Sequence, residues 1–378
     1  MKGKDKLIKS LVSVSLVGLF IFSVSIFTKE FMALSVKLAL FSLQMMLPTD
    51  AVEETSEAVT VTEKETTTEK VTEKVTEKEA VETLSIFKSF TTTPDDIKAL
   101  IKKEKKLTDN GKKKGNIREK TYRNEGVTDK FSLVRMKNVN RTKVSLKNIL
   151  NEKIDLSVTK KEPSVLIFHT HTTETYPILE KSYYTESFIT RSNDKGRNMV
   201  RVGEAIVEEI ENAGFTVIHD KEIHDSKYTG AYGKSRESVE AILKKYPSIQ
   251  VVLDIHRDAI QDSDGTKVKP TVTVKGKKAA QIMIISGCQE EGNPIKNLPD
   301  WRYNLTFAVH LQQKLEELFE GITRPLYFCP RSYNMNVTHC SLLIEVGSDS
   351  NTLEEAVYTG KCIGVAVSKI LEEYEEKV

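Results

Sequence analysis

Seven histidines are spread along 378 residues, and His169 and His171 stand two apart in Phe168-His169-Thr170-His171-Thr172-Thr173-Glu174. A third lies in Leu253-Asp254-Ile255-His256-Arg257-Asp258, and a carboxylate in Leu343-Ile344-Glu345-Val346-Gly347. Histidine and carboxylate drawn from separate elements form the donor set of a catalytic zinc, which takes three protein ligands and leaves one position for water. Such a metal lowers the pKa of its water to about 7 and polarises a carbonyl. A further carboxylate then takes the proton and hands it to a leaving amine. His256, one of His169 and His171, and Glu174 are the expected ligands, with Glu345 as the base. His169 and His171 alternate along an extended segment, so both face one metal only if the strand has ended. Among the remaining histidines, His310 reads as a packed or surface residue of an apolar helix. His339 precedes the last strand and is in reach of the site from a loop. His219-Asp220 and His224-Asp225 read as rim residues or turn caps.

The elements that must carry these residues begin at about Ser164. Val165-Leu166-Ile167-Phe168 is a short continuous apolar run, the pattern of a buried strand. Helical spacing follows over 198–213, with Met199, Val202, Ile206 and Ile210 on one face and Gly214 as the stop. Strands are expected at 215–218, 251–255, 281–286 and 341–344, and helices at 235–245, 304–318 and 353–374. Strands alternating with helices predict an α/β fold with a mostly parallel, doubly wound sheet flanked by helices. Ligands of such sheets sit at the carboxyl ends of the strands. His169, His171, His256 and Glu345 all follow such ends.

The rest of the chain differs in kind. Basic and acidic residues number 56 and 54, so no global charge argues for nucleic acid. Cys288, Cys329, Cys340 and Cys362 form no C-x-x-C pair, which speaks against a cysteine zinc cluster and for buried small apolar residues. Lys2, Lys4, Lys6 and Lys9 precede an uncharged run over 10–28, about long enough for a membrane-spanning helix. The lysines place the N-terminus in the cytoplasm and all that follows outside. Ser23-Val24-Ser25 has the form of a cleavage site, but it sits inside the apolar run, which favours an anchor. A second apolar stretch, 31–48, carries Lys37 and reads as interfacial. Thr-Glu-Lys recurs at 62–64, 68–70, 72–74 and 76–78, a composition that cannot bury enough apolar surface to fold. The lysine-rich stretch 95–125 reads as more of the same. The expected layout is an anchor and apolar segment over 1–50, a charged linker over 51–130, a pre-domain segment over 131–162 and a catalytic domain over 163–378.

Taken together, the segments around His169, His256 and Glu345 resemble the stage II sporulation protein P family, whose catalytic domain is similar to zinc-dependent N-acetylmuramoyl-L-alanine amidases. His219-Asp220-Lys221 and the tyrosine-rich stretch 228–232 fit as well. The resemblance spans about 163–376. It implies a peptidoglycan hydrolase of endospore-forming bacteria that cleaves the bond between N-acetylmuramic acid and L-alanine, with endopeptidase activity on stem-peptide cross-links. The implied role is remodelling of the septal wall during engulfment, with stage II sporulation proteins D and M as partners and the domain in the extracytoplasmic space at the septum. One departure concerns the carboxylate ligand. The wider amidase group places it in a Glu-Lys pair at the start of the next helix, and here 195–198 holds no Glu. Glu174 is favoured for its closeness to the first histidine, with Glu186 and Asp194 as alternatives. The competing functions are a zinc carboxypeptidase acting on wall peptides and a wall-binding module without catalysis.

Overall fold

The computed structural model describes residues 90–107, 111–290, 292, 295 and 297–376. The expected anchor, the second apolar stretch and the Thr-Glu-Lys repeats lie outside the described residues. Among the described residues no helix is long and apolar enough to cross a membrane.

The site is carried by four neighbouring strands of an eight-stranded sheet: β4 (Pro163–Phe168), β6 (Thr216–His219), β7 (Val251–Asp258) and β12 (Cys340–Ser348). They run parallel in the order β12-β7-β4-β6. Beyond β12 lie β10 (Ile282–Gly287), β11 (Leu326–Cys329), β3 (Val134–Asn138) and the edge strand β2 (Asp129–Phe131). Five of the seven pairings are parallel and two antiparallel, so the sheet is mostly parallel but reverses direction at β10. The reversal has a local cause. A parallel return needs a long crossover, usually a helix. Between β7 and β10 the chain instead forms the hairpin of β8 (Lys267–Val274) and β9 (Lys277–Ala280). It therefore enters β10 from the end at which β7 finished.

Helices cover both faces. One face packs Val165, Ile167, Leu253, Ile255, Leu342 and Ile344 into the main core, with α3 (Met199–Asn212), α5 (Trp301–Leu318) and α6 (Leu353–Glu373). On the other face, α4 (Ala231–Lys245) places Val239 over Leu166, Phe168 and Val252. Polar caps set the helix starts. The Asn198 side chain accepts from Val200 N–H at 3.0 Å, and Thr352 and Glu355 form a capping box ahead of α6. The helices and strands anticipated from Ser164 onward are all present, with ends displaced by a few residues.

The charged stretch 95–125 is not a continuation of a linker. It holds α1 (Asp95–Glu104), whose Ile97 joins the main core, and β1 (Lys113–Lys120). β1 is central to a second, four-stranded sheet, between β5 (Tyr183–Thr185) and β8. Most β1 side chains are exposed or half-buried, so backbone pairing on both sides holds the strand in place. Composition rules weigh side chains only and are blind to this. The stretch 131–162 likewise supplies β3 and the short helix α2 (Leu146–Leu150), with Val134, Met136, Leu146 and Ile149 in the same core as the expected catalytic domain.

Candidate active site

Four of the five expected residues meet at the carboxyl ends of β4, β7 and β12. Glu345 stands directly opposite His256 in the parallel register. On β12 the pairing slips between Glu345 and Ser348, and Gly347 takes φ +62° there. A Cβ at 347 would lie 2.4 Å from Asn351 Oδ1, so the bulge needs glycine. The His171 and His256 rings meet edge to face with centroids 5.3 Å apart. Glu174 Oε2 lies 3.8 Å from His256 Nδ1 and accepts the Arg257 N–H at 3.1 Å. The Glu174 carbonyl accepts the Met199 N–H, so this residue sits against the start of α3 although it comes 25 residues earlier (199 − 174).

His169 points elsewhere. The strand alternation carries it to the main-core face, where its Nδ1–H donates to the Ile255 carbonyl at 3.0 Å and its Nε2 meets His219 Nε2 at 2.9 Å. His169 is fully buried, and that burial drives it down to about 4; burial and the neighbouring ring drive His219 to about 2. Of the two histidines left open by the sequence, the one that faces His256 is thus His171. Glu186 is exposed on β5's flank, and Asp194 is exposed and caps its own turn by accepting from Gly196 N–H. Neither approaches the histidines. His224 contacts Asp220, and His310 meets the Glu152 carbonyl at 3.0 Å. His339 pairs with Asp155 next to the start of β12, the opposite end of the sheet.

Further groups surround the four. Tyr228 stacks on the His171 ring at 4.7 Å and Tyr232 meets it edge-on at 5.7 Å. Asp225 lies 3.7 Å from His171 Nδ1 and is paired with Arg191, whose guanidinium also lies 3.8 Å from Glu174. Sequence reasoning gave none of Asp225, Arg191 and Asp254 a chemical role. For Asp254 a signal was available, because residues i and i+2 of a strand share a face. Arg191 lies on a loop, with no periodicity to reveal it.

Burial is the leading influence on the titrating groups of the site. Burial pushes Glu345 up to about 8, against the pull of His256. Its side chain is half-buried overall, but Oε2 is sealed from water and has no hydrogen-bond partner. Burial acts to lower His256, but the adjoining Asp254, with Glu174 and Glu345, raises it to about 9. Tyr232 is raised well above the ordinary phenol, first by burial, and stays protonated.

These residues suit a zinc ion in kind and in environment. His171 Nδ1 is buried without a hydrogen-bond partner, a costly condition that a cation relieves. His256 Nδ1 faces a carboxylate oxygen at 3.8 Å, a gap that calls for a cation. In the rotamers seen, the His171, Glu174 and His256 donors do not all lie within 4.8 Å of one another. Among the described residues the set that does is Glu119, Glu180 and Glu355. That set already encloses a cation, Lys269 Nζ, at 3.3, 3.4 and 2.8 Å.

Comparison with known proteins places the chain. The family described as Stage II sporulation protein P (SpoIIP) matches residues 25–368. The chain belongs to that family. Stage II sporulation protein P of Bacillus subtilis (strain 168) is 28% identical over 204 residues, 50% of this chain and 47% of that relative. The chain therefore matches about half the length of this family relative. Among solved structures, the CwlD amidase from Clostridioides difficile in complex with the GerS lipoprotein covers 56% of this chain and 99% of its own, at 16% identity and a TM-score of 0.34. The N-acetylmuramoyl-L-alanine amidase AmiC2 of Nostoc punctiforme covers 58% and 98%, at 8% identity and 0.33. The family assignment rests on the sequence match.

Proposed function

We propose that this member of the family is a zinc-dependent N-acetylmuramoyl-L-alanine amidase that also cuts stem-peptide cross-links, and that it remodels septal wall during engulfment of the forespore. The observation that carries the reading is the meeting of His171, Glu174, His256 and Glu345 at one end of the sheet. His171, Glu174 and His256 would hold the metal, which supplies Lewis acidity and an activated water when bound. Glu345 moves the proton. It takes one from water as the oxygen adds to the amide carbon, and delivers it to the nitrogen as the C–N bond breaks. Tyr232, neutral and beside both histidines, is a hydrogen-bond donor for the substrate.

The proposed location is the outer face of the membrane, with the run over 10–28 as anchor and the repeats as tether. Stage II sporulation proteins D and M are the proposed partners. Protease added to intact protoplasts should then digest the domain, and protection would refute the topology.

The test of the chemistry is Glu345→Gln with three readouts on one preparation. Zinc content and thermal midpoint should hold, while release of intact stem peptides from sacculi falls about 10²–10⁴-fold. Loss of zinc would make Glu345 a ligand, and unchanged turnover would remove it from the reaction. Release of free amino acids by the parent protein would identify a carboxypeptidase instead.

A further inference from the structure

His256 Nε2 lies 2.8 Å from Asp254 Oδ1, close enough for strong attraction but off the axis of a hydrogen bond. The carboxylate itself is rigid. Thr170 N–H donates to Asp254 Oδ1 at 2.8 Å, and the Thr170 hydroxyl donates to Oδ2 at 2.7 Å. With that proton committed, the Ser235 hydroxyl on α4 donates to Thr170 Oγ1 at 2.8 Å. The Asn334 amide then donates to Ser235 Oγ and to the Tyr232 carbonyl. Thr170, Ser235 and Asp254 are at most 1% exposed. A buried carboxylate held by two donors from one residue, with its third contact a ring nitrogen, has a fixed position that the ring must follow.

We propose that Asp254 is the positioning residue of His256: it holds the proton on Nε2 and turns the Nδ1 lone pair toward Glu174, making the ring a zinc ligand through Nδ1. The assignment rests on the ligand set proposed above. Metal-bound histidines characteristically give their second ring nitrogen to a carboxylate or carbonyl, and losing that partner typically lowers metal affinity about 10–100-fold. Capture of a cation at Nδ1 would complete the alignment of Nε2–H with Asp254. The threonine–serine–asparagine chain links this alignment to α4 and to the 331–338 loop. A substitution on either is thereby transmitted to a ligand without touching it.

Asp254→Asn preserves shape and keeps an oxygen for the Thr170 N–H while removing the charge. Zinc affinity of the full chain, measured by competition with a chromophoric chelator, should fall about 10–100-fold. Thr170→Val should lower it in the same direction, and Thr170→Ser should restore it. That pair keeps the test decisive if Asp254→Asn folds poorly. Thermal midpoints on the same samples identify a merely structural role, which would lower the midpoint and leave affinity within about twofold; that result overturns the proposal. His256→Ala is the control for the underlying reading. If it keeps a full equivalent of zinc, the ligand set itself is wrong and this assignment falls with it. If it loses zinc while Asp254→Asn does not, only the positioning role fails.

Discussion

Gly203 sits in the middle of α3, where alanine is ordinarily worth about 1 kcal/mol more than glycine. Helix propensity alone therefore predicts that Gly203→Ala stabilises the protein. The packing predicts the reverse. A Cβ at 203 would lie 2.6 Å from His219 Nε2 and 2.7 Å from His169 Nε2. Neither ring can simply swing aside. His169 is fully buried and tied to the Ile255 carbonyl, and the two rings are bonded to each other. Forcing a methyl into such a place typically costs about 1–3 kcal/mol. Parting the rings adds about 1–3 kcal/mol if a buried nitrogen loses its partner. Against a propensity gain of about 1 kcal/mol the net is a loss of about 3 kcal/mol. For a body of this size that lowers the melting midpoint by about 6–12 °C. Urea melts of Gly203→Ala, His219→Ala and the double variant should show positive coupling, because removing one ring makes room for the methyl. Stabilisation of the single variant by about 1 kcal/mol would refute the account of this contact.

Two further outcomes follow from the packing. Asp220 is lowered to about 2, because bonds from His224, Ser238 and the Glu222 N–H outweigh the opposing effect of burial. A depressed carboxylate adds stability above its unfolded pKa, so about 2 kcal/mol at most should disappear as pH falls from 4 toward 2. Urea midpoints across that range should fall less steeply for Asp220→Asn, and parallel acid limbs would contradict this. A chain starting at residue 131, the expected end of the linker, lacks α1 and β1. It should melt well below a chain starting at residue 90 or fail to fold; equal midpoints would show that β1 is dispensable.

Most of what lies after Ser164 was legible because its cause is periodic burial. β4 and β7 are apolar on both faces, and α3 shows its stripe at helical spacing. The choice between His169 and His171 was not legible. It depends on where extended backbone ends, and the Glu174–Thr175 segment pairs with residues of a loop and a helix start that are distant in sequence. Glu174 was favoured for its closeness to the first histidine, and its place beside α3 was not legible. Glu174 is far from α3 along the chain and adjacent to its start in space. β1 and β5 were missed because backbone pairing rather than an apolar pattern holds them, and the β8–β9 hairpin because lysines and threonines separate the few apolar residues it sends to the core.

The place of β1 bears on mechanics. If the chain is held from its N-terminal side while the site works on a fixed polymer, the load enters through α1. That helix is moored by Ile97 in the core and by Asp96 against Arg201 at 2.6 Å. The load then passes to β1, which is bridged to β5 on one side and, over Ile117–Lys120, to β8 on the other. Tension along the strand must shear both rows of bonds together, whereas a sideways pull would peel them one at a time. β1 is thus a second mooring behind α1, tying the chain to the four-stranded sheet should the contacts of α1 give way.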